Sequence, residues 1–277
     1  MGTGFHESAF EQLDLFSGSG VVPPGPEPEP EGWAPLDPTR LSDGELIAVL
    51  PRARQNEAVG LTREAARRGL TDAMPALEAL CRRFAGFGLD REVTEQVASI
   101  RGLASLGGVA AAEAVARLIV SGAVRGPGAR VALEAASGLG CRLPPEQVAA
   151  FLRDDDPAVR EAACRCARGG AKVIAALLDL LSDLHPAVTH AAALALGRLG
   201  RREAGVVLTR MLGTVPSEEV VRALAGIAEE DDWVRLGQTA RQVPELAGVV
   251  LEVLEESEEA RAAAVAEGVR RRLGMGG

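Results

Sequence analysis

The chain has 277 residues, of which 47% are hydrophobic but only 3% aromatic, and its net charge is −9. A core with so few rings has to be filled by Ala, Leu and Val, which suits closely stacked helices better than a β-sandwich or barrel. Residues 1–45 hold nine acidic residues against Arg40 alone, so the remainder is close to neutral. This balance argues against a broad basic face for non-specific nucleic-acid binding.

The sequence shows no targeting or membrane-spanning segment. The first 39 residues contain no basic residue and no continuous apolar run, and no later window approaches the length of a membrane span. Cys164 and Cys166 are two positions apart, which on a helix points them to different sides, so they cannot clamp one metal ion. We therefore expect a cytoplasmic protein whose cysteines are buried small residues, with no metal and no cofactor.

The chain is predicted to divide near residue 40. Residues 21–38 are rich in Pro, and within them residues 26–31 alternate Pro with Glu. This composition stiffens the backbone, removes hydrogen-bond donors and makes the segment repel itself. Residues 1–40 are therefore expected to form an acidic, Pro-rich tail that is disordered or extended, and residues 41–277 to form a helical body.

Helices are predicted from Leu41 onwards, beginning with the capping-box spacing of Ser42 and Glu45. Apolar residues then recur at helical spacing, broken every 12 to 18 residues by Gly, Pro or Asp, and no period-2 strand is evident. We expect two opening helices, six pairs and a polar last helix that caps the array: 43–53 and 56–69; 73–83 with 90–107; 108–121 with 127–140; 145–153 with 156–169; 171–183 with 186–200; 202–213 with 216–230; 232–241 with 244–256; and 258–273.

The helix boundaries repeat with a period near 30 residues. Gly107, Gly140, Gly170 and Gly200 close successive helices at intervals of 33, 30 and 30 residues. Helix starts recur as well, with Pro at or near the first helical position; these are Pro157, Pro186 and, more loosely, Pro216. Two helices per unit at this period predict an all-α, α–α superhelical solenoid.

Two segments of the array resemble HEAT-like repeats of the phycobilisome-lyase type. Residues 154–163 read DDDPAVREAA and residues 185–200 read HPAVTHAAALALGRLG, close to the family pattern of an Asp, then Val-Arg, then Ala-Ala and a final Leu-Gly. Arg160 stands at the Arg of that pattern, whereas Thr189 replaces it in the next repeat. The resemblance is strong over 144–230 and weaker, but in phase, over 56–140 and 231–273. It implies an α–α superhelix and little more.

Helix 186–200 shows how such a unit is expected to pack. Val188, Ala191, Ala195 and Leu199 fall on one stripe of this helix, and three neighbours widen it: Ala192, Leu194 and Leu196. So broad an Ala/Leu surface suits a helix that has neighbouring repeats on both sides.

The tail contains a five-residue segment, Gln12-Leu13-Asp14-Leu15-Phe16, that resembles the peptide with which bacterial proteins dock on the replication sliding clamp. The resemblance implies polar contacts from Gln12 and insertion of Leu13, Leu15 and Phe16 into a hydrophobic cleft. Two other interpretations stay open for the same residues: binding to a different partner, or an amphipathic patch, including Phe10, that packs on the chain's own body.

Short segments that resemble catalytic motifs lack the flanking residues and elements that catalysis would require. Residues 13–20 resemble the cofactor loop of cytosine-5 DNA methyltransferases, but a Pro/Glu linker follows where a helix is required, and no Cys is preceded by Pro. HEAT-like hydroxylases carry repeated His-Glu pairs, and His6-Glu7 is the only such pair here. No Walker loop or nucleophile elbow occurs. The sequence therefore predicts a protein that is not an enzyme.

The groove of the array is expected to hold a partner protein or peptide. The alternative is a DNA-binding or DNA-repair HEAT-like protein, for which a near-neutral body and scarce aromatics are unfavourable but not excluding. No membrane partner is expected. The candidate groove contacts for either interpretation are Arg160, Arg165, Arg198, Arg202 and Trp233, with Arg168 and Arg201 nearby in sequence.

Overall fold

The computed structural model describes residues 36–273, and the predicted tail therefore lies almost entirely outside the described residues. The helical unit begins at Asp37. Within the described range the chain is helical and contains no strand, which confirms the all-α prediction. Its fifteen α-helices are α1 (Asp43–Val49), α2 (Gln55–Arg67), α3 (Met74–Arg83), α4 (Thr94–Leu106), α5 (Gly108–Val120), α6 (Pro127–Gly138), α7 (Pro145–Phe151), α8 (Pro157–Cys166), α9 (Ala171–Leu180), α10 (Pro186–Arg198), α11 (Gly205–Thr214), α12 (Glu218–Ala225), α13 (Glu230–Gln242), α14 (Ala247–Glu256) and α15 (Ala260–Leu273).

The helices form two rows, as expected for a HEAT-like α–α repeat solenoid. Each even-numbered helix from α2 to α12 contacts the next even-numbered helix, and the series ends with α14. We call these seven helices row B. The odd-numbered helices form row A, in which α3 contacts α5, α7 contacts α9 and α13 contacts α15. The continuity of row B places its solvent-facing side along one surface of the array.

Residues 36–273 contain no helix with both the length and the apolar character needed to cross a bilayer.

The N-terminal end of the array is fixed by a charge network. Ser42 and Glu45 form the predicted capping box, with the Ser42 backbone N–H donating to the Glu45 carboxylate at 2.8 Å. Arg68, just past α2, donates to the Asp43 carboxylate and to the Leu41 carbonyl, both at 2.8 Å. It also donates to Glu64 at 2.7 Å. These bonds tie the chain from residue 38 onwards to α2.

Two of the three predicted Pro positions are confirmed as helix starts. Pro157 and Pro186 are the first residues of α8 and α10. Pro216 is not a first helical residue, because Ser217 caps α12 by accepting a hydrogen bond from the Val220 backbone N–H at 3.3 Å.

Three of the four predicted helix-closing glycines are confirmed. Gly107, Gly140 and Gly200 follow the ends of α4, α6 and α10 and have φ values of 69°, 69° and 68°. The prediction for Gly170 is wrong: α8 already ends at Cys166, where Ala167 takes an extended conformation, and Gly170 (φ 98°) instead precedes the first residue of α9.

Some helix boundaries differ from the prediction. Helix α4 begins at Thr94 and not at residue 90, because Gly86 and Gly88 take positive φ and keep the preceding segment in a loop. Helix α11 begins at Gly205 because residues 202–204 form a 3-10 turn.

Glycine allows row B helices to approach one another closely. A Cβ built on Gly102 of α4 would lie 2.3 Å from Thr62 Cγ2 of α2, and one built on Gly197 of α10 would lie 2.9 Å from the Ala223 carbonyl oxygen of α12. Contacts this short cannot exist with a side chain in place, so the separation between these helices depends on glycine.

The buried face of α10 is centred differently from the predicted stripe. Val188, Ala192, Ala195 and Leu196 are fully or almost fully buried. Leu199 is only half-buried, because it follows the last helical residue, where the chain turns into Gly200. Ala191 and Leu194 are also half-buried and face the surface of row B.

The last helix covers the end of the array as predicted. Ala262, Ala266 and Val269 of α15 are buried, whereas its three consecutive arginines at 270–272 are exposed. Helix α15 packs on α13, where Gly237 leaves room for Val265.

Candidate functional site

Row B carries a cleft of about 510 Å³ formed by four successive helices, α6, α8, α10 and α12. We call it the arginine cleft. Its size is within the range of known ligand sites. Its lining combines Arg165, Arg168 and Arg198 with an apolar part, Ala191 and Leu194, and with the polar residues Ser137, Glu161, His190 and Glu219.

Helical spacing explains how these side chains reach one surface. His190, Leu194 and Arg198 are four residues apart along α10 and therefore form one stripe of that helix. Glu161 and Arg165 have the same spacing on α8 and form an ion pair at 2.6 Å. The stripes of adjacent row B helices then stand side by side.

The positive charge in the arginine cleft is only partly neutralised. Arg165 is paired with Glu161. Arg198 donates to the backbone carbonyl of Cys164 at 3.3 Å, and within the described residues neither Arg198 nor Arg168 forms an ion pair with a carboxylate. Two guanidinium groups therefore line the cleft without a direct ion pair, although the Glu219 carboxylate acts on Arg198 from a distance.

The electrostatics of Arg198 reflect this crowding. Its side chain stays partly exposed, but the adjoining helices remove enough water from the guanidinium group to lower its pKa. Glu219 opposes the shift, whereas the positive charges of Arg168 and Arg165 add to it. Arg198 remains charged at neutral pH, and an incoming anion would relieve the unfavourable burial and repulsion.

The predicted groove residues are not all brought together. Arg165 and Arg198 line the arginine cleft, whereas Arg202 and Trp233 line a different cleft of about 580 Å³. Arg202 is paired there with Glu229 at 3.3 Å. Trp233 is only 3% exposed, and its indole Nε1 donates to Glu259 at 2.6 Å, so its ring offers no stacking surface.

Arg160 is engaged in packing between repeats. It makes a two-bond ion pair with Asp183 at 2.9 and 3.1 Å and also donates to the carbonyls of Asp154 and Asp155. Its side chain is 13% exposed. It therefore joins α8 to the turn before α10 and presents little surface to a partner.

Three further cleft residues stand outside the Arg series. The sequence predicts Leu194 as part of the apolar packing stripe of α10 and His190 as a surface or groove residue, and both line the cleft. Glu219 is not among the predicted groove residues. A second row B cleft, of about 360 Å³, was also missed; it lies between α2 and α4 and is lined by Val59, Arg63, Val97 and Arg101 among others.

Possible metal ligands and cysteine thiols can be located within residues 36–273. No group of three or more His, Cys, Asp or Glu in residues 36–273 is placed to hold a metal ion. All four cysteines are buried, as predicted, and burial raises the pKa of the Cys81 and Cys164 thiols to about 12. The thiolate required for nucleophilic attack is therefore scarce at neutral pH.

Comparison with known proteins agrees with the repeat architecture. The HEAT repeats family model matches residues 144–240, which include α8, α10 and α12 of the arginine cleft. The protein is thus a helical repeat protein with a HEAT-like fold, and proteins of this class generally serve as scaffolds for protein–protein interaction and are typically non-catalytic.

Individual relatives are distant. Two crystal structures of engineered proteins from the Northeast Structural Genomics Consortium are similar to this chain. One is 19% identical with a TM-score of 0.42, and the match covers 84% of this chain and 68% of that one. The other is 20% identical with a TM-score of 0.32, over 86% and 98% of the two chains. No curated protein sequence matches the chain.

Proposed function

We propose that the protein is a non-catalytic adaptor that holds one protein partner on row B and binds the bacterial replication clamp through its N-terminal tail. The observation that carries the first half is the arginine cleft: an open surface with a partly apolar lining and unneutralised charge, on a fold that generally serves protein–protein interaction. Because no group of His, Cys, Asp or Glu in residues 36–273 is placed to hold a metal ion, the cleft suits a binding site better than a metal-dependent active site.

The second half rests on the sequence of residues 12–16, which lies outside the described residues. Gln12, Leu13, Asp14, Leu15 and Phe16 match every position of the clamp-docking pattern. A few apolar anchors presented from an acidic, Pro-rich segment can bind a hydrophobic cleft while the repeat array stays clear of the clamp. Such docking would place the adaptor in the cytoplasm, in replication or repair.

Binding of the full-length chain to an immobilised bacterial sliding clamp, followed by surface plasmon resonance, tests this tether. We expect micromolar affinity for the parent chain and at least a tenfold loss when Leu15 and Phe16 are both changed to Ala, because the two side chains would supply most of the buried apolar contact.

The matched control is Phe10→Ala, which removes an aromatic side chain from the same tail but lies outside the five-residue pattern. We expect this variant to bind like the parent. An equal loss in both variants would show a general amphipathic patch, and no binding by the parent chain would remove the clamp from the proposal.

DNA binding is the alternative function, and the clustering of Arg165, Arg168 and Arg198 is the observation that favours it. Against it, Glu161 and Glu219 line the same cleft and would repel a phosphate backbone. Trp233 is buried and cannot stack on a base. The same surface therefore fits a peptide better than a duplex.

A further inference from the structure

We infer that the arginine cleft binds an acidic, Leu-containing segment of a partner protein, with Arg168 and Arg198 receiving its carboxylates and Leu194 contacting its apolar side chains. This inference rests on the proposed function, because it specifies the partner of the same adaptor surface.

Charge complementarity identifies the acidic character of the segment. Among the described residues, Arg168 and Arg198 have no carboxylate partner, although both line the cleft. Arg165 is different because Glu161 already holds it at 2.6 Å. A carboxylate placed between the two unpaired guanidinium groups would form charge-assisted hydrogen bonds where solvent is partly excluded, and such bonds are stronger than those between neutral groups.

The apolar part of the cleft lining indicates that the bound segment also carries apolar side chains. Ala191 and Leu194 are half-buried on α10, between His190 and Arg198. An apolar side chain from a partner would complete the burial of Leu194 and remove more non-polar surface from water. Glu161 and Glu219, which also line the cleft, disfavour a polyanion whose charges are continuous, but they tolerate a peptide whose carboxylates are separated by apolar residues.

The test uses the full-length chain and three labelled probes, followed by fluorescence anisotropy at low ionic strength. The first probe is a short peptide of alternating Glu and Leu, the second is the same peptide with Gln in place of Glu, and the third is a duplex DNA. We expect the Glu/Leu peptide to bind at least tenfold more tightly than both other probes.

Two variants assign the binding to the cleft. Arg168→Glu reverses an exposed charge, and Arg198→Gln removes the charge but keeps side-chain donors for the Cys164 carbonyl. Each variant is expected to lower the affinity for the Glu/Leu peptide at least tenfold. The matched control is Arg210→Glu on α11, an exposed row A arginine that has no carboxylate partner among the described residues. It changes the net charge as much as Arg168→Glu does and is expected to leave binding within twofold. Circular dichroism of each variant verifies its fold.

Three results would overturn the inference: no binding of the Glu/Leu peptide, an equal loss from Arg210→Glu, or tighter binding of duplex DNA with dependence on Arg168 and Arg198. The last result would also replace the adaptor with a DNA-binding protein. Failure of the clamp experiment alone would leave the cleft assignment standing, because the two measurements involve different residues and different partners.

Discussion

The arginines near row B differ in whether a carboxylate lies within hydrogen-bond distance of the guanidinium group. Asp183 accepts two bonds from Arg160 and one from the His185 backbone N–H at 2.8 Å. Burial alone would raise the pKa of Asp183, but the hydrogen bonds from Arg160 and His185 outweigh it and lower the pKa. Arg168 and Arg198 have no such acceptor, so they remain available to a ligand.

Replacing Arg160 by Ala should destabilise the array by about 2–3 kcal/mol, because Asp183 would be left with a nearly buried, unpaired charge. Chemical denaturation monitored by circular dichroism measures this loss. The matched control is Arg165→Ala. Arg165 is paired with Glu161, four residues earlier on the same helix, and this ion pair is largely exposed. It should cost no more than about 0.5 kcal/mol. Equal effects would mean that Arg160 does not join the two repeats.

At the scale of the element, the spacing of row B helices is set by glycine within the helices and not only by the repeated glycine at their ends. Gly197 lies inside α10, where a side chain would meet the backbone of α12 as well as Leu208 of α11. Glycine normally weakens a helix interior, so its presence here indicates that close packing outweighs helix propensity.

Gly197→Ala is therefore expected to destabilise the protein by about 1–3 kcal/mol, since one added methyl group would push α10 away from α12. Gly268→Ala on α15 is the control, because its added methyl group would meet no atom within 4 Å. This second change should stabilise the protein by up to about 1 kcal/mol through helix propensity. Thermal unfolding of both variants decides the matter; a neutral Gly197→Ala would show that the two helices can separate freely.

At the scale of the whole array, stability is expected to be a sum over repeats and their neighbouring interfaces, so that an end of the array can open by itself. The N-terminal end depends on Glu64, whose carboxylate accepts bonds from Arg67 and Arg68. These hydrogen bonds lower the pKa of Glu64 from its ordinary value of 4.5 to about 2.

Because the pKa of Glu64 is lower in the folded protein than in the unfolded chain, its contribution to stability is fully present above pH 4.5. That contribution is lost as the pH falls from 4.5 towards 2. We expect the hydrogen-exchange protection factors of α1 and α2 to fall in this interval before those of α6 and α7 do. In Glu64→Gln the protection of the N-terminal helices should be lower already at neutral pH and should lose this additional acid dependence. A uniform fall in protection along the array would contradict a separately opening end.

The class of fold can be predicted from the sequence, because helix formation and termination are local. The spacing of apolar residues, the Ser42–Glu45 capping box, Pro157 and Pro186 at helix starts and the positive-φ Gly200 all act within a few residues along the chain. All fifteen helices could therefore be predicted, with errors at boundaries such as Pro216, where a neighbouring serine supplied the cap.

Which arginines share a surface depends on contacts between residues that are far apart in the chain. Arg160 and Arg165 are both plausible groove residues in the sequence, yet a turn 23 residues further on supplies Asp183 to Arg160 and takes it out of the groove. Trp233 is likewise unavailable to a ligand, because its indole N–H donates to Glu259, 26 residues further along the chain. Partners at such separations depend on how the helices stack, which no local pattern encodes; the stacking of α8 beside α10 is what brings Arg168 and Arg198 into one cleft.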